Sequence, residues 1–529
     1  MKRKILVVTS VVLMLTVLPV RMYYIMFCAE RLPSVTNSTR SLLLSQLRGE
    51  IYDCNMQRLV NRKSEDIIIA MPEKSNIEIL GRYLETEDYN HLLRSVENNE
   101  PFICSGIIES ENILHTKVLK RYSDDGFCCH VIGYVNETDN VGVSGIEKSY
   151  QQLLTEENRK LYYTYNSTAT NKMLPGGKSE ITEENYYSSK GVVLSIDSEI
   201  QRYAENAMWL YGVDKGAVVV LDSSNGEIKA MASSPVFNQN NLNLSLNDDS
   251  SPFLNRAVNA YCVGSVFKIV VAAAAVKEGK DGFASICDSS VTIGGQTFSC
   301  SNNNAHGYVD VKKAMAYSCN TYFIRLALEV GAEKLLETAR NMGFGEYFYL
   351  TEGIPVSAGM LPQKDDIKTD GMLANLAFGQ GGLLATPLQV ASAYASIANN
   401  GTFIQPSIIK GEVISDGIME VSDEAQYRYR VFSEKQAERL QDILMNNFNE
   451  GTCVSSKPNR GVAGGKTSTA QTGWLDKEGD DIFHSWFAGY IRINNKSYTI
   501  VVFKENGQSG GKDCGPVFKE IAERIANNY

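Results

Sequence analysis

The chain has 529 residues, 43% apolar and 21% charged, without a low-complexity tract or an internal repeat. Such a length predicts more than one domain and ample core. The formal net charge of −10 excludes the basic footprint of a nucleic-acid binder, and His91, His115, His130, His306 and His484 show no metal-ligand spacing.

At the N-terminus Lys2, Arg3 and Lys4 precede a 16-residue apolar run, Ile5 to Val20. A spanning helix needs roughly 20 apolar residues, so Ile5 to Ala29 spans a membrane only if Arg21 snorkels to the outer face. The basic end then stays in the cytoplasm and the rest of the chain lies outside. The rival reading is a cleaved signal peptide, against which no small-x-small site follows the run. Met26 and Phe27 also make Cys28 a poor lipoprotein cysteine. Residues 30–190 are polar, with short alternating segments and charged helical stretches, and read as a spacer rather than a catalytic unit.

The pattern changes near residue 191. "GVVLSID" reads as a strand and "SEIQRYAENAMWLYG" as an amphipathic helix; "GAVVVLD", "SSNG" and "EIKAMAS" follow as strand, tight turn and strand. Cys287 and Cys300 flank a hairpin, "DSSVTIGGQTFS"; a bridge between them and free thiols in a reducing habitat are both open readings. A mostly helical stretch runs from about 255 to 400. It includes "TPLQVASAYASIANNG", with Thr386 as N-cap, Pro387 at the first helical position and Gly401 past the end. "VAGGKTSTAQTG", "SWFAGYIRI" and "SYTIVVFKE" read as late strands, and "GPVFKEIAERIANN" as a closing helix. Two strands early, three late and helices between predict one antiparallel sheet assembled from both ends of a domain.

Three short stretches carry chemistry. In Ser265-Val266-Phe267-Lys268, helical spacing puts the amine on the same face as the hydroxyl. At a reference pKa of about 10.4, only about 1 in 2,500 lysines is neutral at pH 7. The apolar neighbours Val266, Phe267 and Ile269, with a second cation nearby, would raise the neutral fraction and make Lys268 a base. In Ser318-Cys319-Asn320, a hydroxyl and an amide two apart in a loop between helices can relay a proton and hold the lysine. In Lys466-Thr467-Ser468-Thr469, a lysine and hydroxyls on a strand edge can bind a carboxylate, and Gly464 and Gly465 before them let another chain lie close. A phosphate loop is excluded here, because its first glycine would fall on Arg460 and the flanks read as strand. Cys262 and Cys319, beside these residues, read as buried packing thiols, with a redox switch as the alternative.

In this order and with gaps of 53 and 148 residues, the three stretches resemble the Ser-x-x-Lys, Ser-x-Asn and Lys-Thr-Gly set of penicillin-binding proteins and serine β-lactamases. "RGEIYDCNMQRLV", "HVIGYVNETDNVGVSGIEKSYQQLL", "NRAVNAYCVGSVFK", "LAFGQGGLLATPLQVASAYASIANNG" and "HSWFAGY" narrow the resemblance to class B penicillin-binding proteins, and it covers nearly everything after the N-terminal run. No stretch reads as a glycosyltransferase domain, which sets class A aside.

The resemblance implies an α/β fold: a serine β-lactamase/transpeptidase-like domain over 191–529, with a five-stranded antiparallel sheet, helices on both faces and a helical subdomain. Before it would stand a tail and transmembrane anchor (1–29) and an elongated α+β pedestal (30–190). The implied activity is D,D-transpeptidation of peptidoglycan stem peptides ending in D-Ala-D-Ala, without a cofactor, on the outer side of the cell membrane. Ser265 would be the nucleophile and Lys268 its base. Ser318 would protonate the leaving amine, Asn320 would hold Lys268 and substrate, and Lys466 would add positive potential. Thr467 and Thr469, with Ser468 between them, would bind the substrate carboxylate, and the backbone N–H groups of Ser265 and Thr469 would form the oxyanion hole. β-Lactams would acylate Ser265, and a membrane glycosyltransferase is the implied partner. Two positions depart from the family pattern: Val263 replaces a proline, and Ser468 replaces the glycine of Lys-Thr-Gly. Ser468 is expected to weaken β-lactam binding modestly. A hydrolase of the same superfamily and a catalytically silent scaffold are the rival functions.

Overall fold

Residues 216–234 and 462–504 are rich in β-branched and aromatic side chains, the composition that fits a pleated, buried surface. In the computed structural model they form a single five-stranded sheet. The structure describes residues 2–24, 38–108, 113–136, 138–168, 170, 172–174, 177–415, 417–421 and 426–528. In chain order the elements used below are α1 (Ser198–Leu210), β1 (Gly216–Asp222), β2 (Ile228–Ser234), α2 (Lys268–Lys277), α3 (Asn320–Val330), α4 (Pro387–Ala398), β3 (Val462–Leu475), β4 (Asp481–Ile493), β5 (Lys496–Lys504) and α5 (Gly515–Asn527). The sheet runs β2-β1-β5-β4-β3 with antiparallel neighbours throughout, so two early and three late strands do share one sheet. The segment at 191–194 is a strand too, but it joins a different sheet, between Glu50–Tyr52 and Ile409–Ser415.

Alternation along the strands divides two cores. Val218 and Val220 of β1 and Ile500 and Val502 of β5 face one way, packing with Ile200 of α1 and Val517, Phe518 and Ile521 of α5. Ala217 and Val219 of β1 and Val501 and Phe503 of β5 face the other, towards α2 and α4. Helix α2, "KIVVAAAAVK", is buried from Lys268 to Val276. A helix apolar on every side can only be an interior helix. Its neighbour α4 begins with the predicted Thr386 cap, completed as a capping box by Gln389.

By compactness the chain divides into two units: residues 1–46, 64–119 and 159–186, and residues 47–63, 120–158 and 187–529. The partition interleaves rather than breaking once near 190, so 47–63 and 120–158 group with the sheet-bearing unit. The first unit contains two three-stranded sheets; in one, Phe102–Ser105, Lys63–Ala70 and Ile113–Lys120 lie side by side. Ile68, Leu80, Leu92 and Phe102 pack together as a small core. Lys2–Tyr23 is a 22-residue helix. Among the described residues no helix is long and apolar enough to cross a membrane, and residues 25–29 of the predicted span lie outside the described residues.

In the second unit, 47–63 and 120–158 are joined by a buried ion cluster. Glu147, fully shielded from solvent, accepts from Arg48 Nε at 2.7 Å, Arg121 Nε at 2.8 Å and the Tyr122 hydroxyl at 3.0 Å. Arg48 also donates to the carbonyl of Asn140 and the side chain of Gln151. A carboxylate removed from such a set leaves the buried Arg48 and the largely buried Arg121 without their counter-charge, at a cost of about 3–5 kcal/mol. Glu147→Ala is therefore expected to lower the unfolding midpoint in thermal or urea denaturation and to open 47–63 to proteolysis; an unchanged midpoint would show that the cluster holds nothing in place.

Candidate active site

Ser265 lies in a 3-10 turn, Gly264–Phe267, that runs directly into α2 at Lys268. The tight turn eclipses residues three apart, and two long-range bonds hold it. The Tyr394 hydroxyl of α4 donates to the Val266 carbonyl at 3.0 Å, and Trp486 Nε1 of β4 donates to the Cys262 carbonyl at 2.9 Å. Gly264 has φ +57°, and a Cβ there would stand 2.5 Å from Ser468 Oγ, so both conformation and space demand glycine.

Lys268 is fully buried. Its Nζ lies 2.7 Å from the carbonyl of Ser318, 2.6 Å from Asn320 Oδ1 and 3.1 Å from Ser318 Oγ. Ser318 Oγ is in turn 3.1 Å from Ser265 Oγ. The hydroxyl of Ser318 thus stands between amine and nucleophile, where sequence spacing suggested direct contact. Burial first, and then the charge of Lys466, push the Lys268 pKa down to about 7; burial pushes Lys466 itself down to about 8. A neutral amine has two N–H groups. Carbonyl-type acceptors take both here, so the lone pair is left for the Ser318 hydroxyl.

The acceptors are held in their turn. Ser318 has φ +56° between the helix Val311–Ala316 and α3. Asn320, at the first position of α3, donates through Nδ2 to the Ser299 carbonyl at 2.8 Å, which fixes its Oδ1 towards Lys268. Ser299 was not foreseen, because a backbone carbonyl leaves no signature in side-chain patterns.

Lys466, Thr467, Ser468 and Thr469 lie on β3, the edge strand of the sheet. Lys466 is fully buried and donates to the Thr467 carbonyl at 2.9 Å. The two preceding glycines, Gly464 and Gly465, make room for side chains of the neighbouring strand. Cβ atoms there would meet the rings of Tyr490 and Phe487 from the neighbouring β4, so the close approach lies within the sheet. Ser265, Ser318, Thr467, Ser468 and Thr469 line one cleft of about 710 Å³, which Lys512 also borders. Thr469 is exposed to it, and its Oγ1 accepts from Gly510 N at 3.3 Å.

Two further contacts border the site. Ser468 is buried at the cleft wall, and its Oγ accepts the backbone N–H of Ser265 at 2.7 Å. That N–H, which the family resemblance implies for the oxyanion hole, is engaged in this bond. The thiols of Cys287 and Cys300 are free, with sulfurs 3.7 Å apart, so they form no bridge although the hairpin between them is present.

Two outcomes are expected. A base must be unprotonated to work, so acylation of Ser265 by a fluorescent penicillin should rise as pH passes about 7 and fall as Lys466 loses its charge through about 8; a flat profile across this window would remove Lys268 as the titrating base. Freeing the Ser265 N–H by Ser468→Gly removes a competing bond worth about 1 kcal/mol and should speed acylation roughly fivefold; no change for several penicillins would show that Ser468 yields at no cost.

A penicillin-binding protein transpeptidase domain profile matches residues 216–523. Stage V sporulation protein D of Bacillus subtilis is 26% identical, over 98% of this chain and 84% of that protein. Peptidoglycan D,D-transpeptidase MrdA of Acinetobacter baumannii is 27% identical, over 75% of this chain and 65% of its own length. Among solved structures, a chain of a peptidoglycan synthase complex that coordinates polymerization and crosslinking superposes with TM-score 0.68 at 24% identity, covering 98% of this chain and 97% of that one. Penicillin-binding protein 3 from Mycobacterium tuberculosis, complexed with aztreonam, superposes with TM-score 0.65 at 23% identity, over 92% and 97%. With a domain match spanning more than half its length and a buried lysine set behind a serine beside the sheet edge, the chain belongs to the penicillin-binding protein transpeptidase family.

Proposed function

We propose that this cleft cross-links peptidoglycan as a D,D-transpeptidase working through an acyl-serine intermediate. The observation that carries the reading is the run Ser265 Oγ, Ser318 Oγ, Lys268 Nζ, each step 3.1 Å, beside the open edge of β3. An extended stem peptide adds to that edge by backbone pairing, and Thr467 and Thr469, with the positive potential of Lys466, take its terminal carboxylate.

Ser265 Oγ attacks the carbonyl carbon of the penultimate D-Ala. Its proton passes through the Ser318 hydroxyl to the neutral amine of Lys268, whose orientation Asn320 maintains. The negative charge that develops on the carbonyl oxygen requires N–H donors from Ser265 and Thr469, so Ser468 must release the Ser265 N–H at this point. Donors of this kind are worth roughly 3–4 kcal/mol each. Collapse breaks the D-Ala–D-Ala amide, with Ser318 returning a proton to the leaving amine. The amine of a neighbouring stem peptide then attacks the ester and regenerates Ser265. A β-lactam presents a strained amide and a carboxylate to the same groups and stops at the acyl-enzyme. The family member solved with aztreonam supports that inhibition.

We further place the chain in the cell membrane through its N-terminal helix, single-pass, with the catalytic unit outside. Lys2, Arg3 and Lys4 before the apolar run support the orientation. A glycosyltransferase of the membrane is the partner this reading requires, since cross-linking needs freshly polymerised strands; the synthase complex named above supports it. Residues 1–29 would be tail and anchor and 30–190 chiefly pedestal, with 191–529 catalytic.

The test uses the full chain in detergent micelles. A fluorescent penicillin should label the wild type stoichiometrically and leave Ser265→Ala unlabelled. Asn320→Ala should keep the fold and lose at least 10-fold in labelling rate, as expected for a group that positions a general base. Labelling of Ser265→Ala equal to wild type, or rapid turnover of a chromogenic cephalosporin in place of a stable acyl-enzyme, would count against the transpeptidase.

A further inference from the structure

Three thiols and an imidazole meet behind the Ser318-Cys319-Asn320 loop, and nothing in the reaction above uses them. Cys287 Sγ and Cys300 Sγ are 3.7 Å apart, Cys300 Sγ and Cys319 Sγ 3.8 Å, and Cys287 Sγ and His306 Nδ1 3.3 Å. All four atoms lie within 4.8 Å of one another. The three cysteines are buried and His306 is half-buried.

These separations are informative. A disulfide needs its sulfurs at about 2.05 Å, and three mutually adjacent thiols cannot all be paired. A tetrahedral zinc ion with Zn–S of about 2.3 Å separates its sulfurs by roughly 3.7–3.8 Å, which is what both sulfur pairs show. The donor set also suits zinc: three soft thiolates and one imidazole select a thiophilic tetrahedral ion over calcium or magnesium. We propose that Cys287, Cys300, His306 and Cys319 form a closed, structural zinc site that holds the Ser318-Cys319-Asn320 loop in place.

The spacing, 12, 5 and 12 residues between successive ligands, escapes a search for paired Cys-x-x-Cys motifs. The four come instead from the end of the strand Ser285–Cys287, the residue after the hairpin strand Gln296–Ser299, the residue before the strand Gly307–Val309, and the turn that opens α3. The segment between Cys300 and His306, "SNNNA", is exposed and has almost no apolar content, with Asn302 and Asn303 at positive φ. It cannot fold on a core of its own and has ligands at both ends. His306, bound through Nδ1, would keep its ring stacked on Tyr317, where the centroids are 5.8 Å apart.

The link to catalysis is positional. Cys319 sits between the two residues that hold Lys268. Cys300 follows Ser299, whose carbonyl orients Asn320. One ion bonded to both cysteines therefore fixes both acceptors of the Lys268 amine; His306 also borders the cleft, and the four ligands leave no open position for chemistry.

The experiment is metal analysis of the full chain, purified in detergent without chelator, followed by addition of Co²⁺ to chelator-treated protein. The expected result is about one zinc per polypeptide, with a thiolate-to-cobalt charge-transfer band and intense visible bands typical of a tetrahedral site. Cys287→Ser and His306→Ala should weaken retention by more than the roughly 10–100-fold that loss of an outer-shell partner costs, while Cys104→Ser, in the first unit, retains the metal. Should Cys287→Ser fail to fold, the wild-type cobalt spectrum and the half-exposed His306 variant decide. Folded wild type with neither zinc nor a cobalt charge-transfer band, a Cys287–Cys300 disulfide in the native protein, or full metal retention in both ligand variants would overturn the site. None of these readouts requires transpeptidation, so the metal proposal and the activity stand or fall separately.

Discussion

A lysine amine enclosed in an apolar interior, with both its N–H groups captured by fixed oxygen acceptors, is the constraint on which the rest of the site depends. Taking an ammonium out of water is costly, and a second buried lysine nearby raises the cost further, so proton loss is the cheaper response. The surrounding architecture serves that end. Helix α2 is interior on every side, β3 brings Lys466 in from a distant part of the chain, and the Ser318 and Asn320 acceptors leave one lone pair aimed at a hydroxyl. Shifting the acceptors by an ångström would undo the arrangement without removing any catalytic side chain.

That sensitivity explains how much of the structure is given to holding short loops. The nucleophile turn is fastened from α4 through Tyr394 and from β4 through Trp486. The Asn320 amide is fastened by a carbonyl of the Gln296–Ser299 strand, and a metal joining Cys300 to Cys319 would fasten the same two segments again. Loops of this kind have few apolar residues to bury and draw their rigidity from bonds to neighbouring elements.

Ser468 shows how one side chain changes a shared design. A glycine at this position would leave the Ser265 N–H facing the cleft. Here a hydroxyl fills that direction, and the neighbouring residue must be Gly264 to make room for it. The resting site is therefore self-satisfied, and a ligand that needs the Ser265 N–H must compete with an internal bond for it. A peptide that pairs along the whole β3 edge has more binding energy to draw on for that exchange than a small β-lactam.

The strands of the central sheet, the cap of α4 and the three stretches that meet at the cleft were legible in the amino-acid order because each is a local pattern: alternation of apolar residues, Thr386 ahead of Pro387, a serine and lysine one turn apart. The buried pairing of Arg48 with Glu147 could not be read, since opposite charges 99 residues apart carry no common signal. Nor could the interleaving of 47–63 and 120–158 with the catalytic unit, the interposition of Ser318 between Ser265 and Lys268, the direction of the Ser468 hydroxyl, or the meeting of four ligand atoms spaced 12, 5 and 12 residues apart. The chain's own order determined which groups are present and what secondary structure carries them. Only tertiary packing decided which of them touch, because contact between remote segments depends on how strands and helices stack, and periodicity within a segment is blind to that.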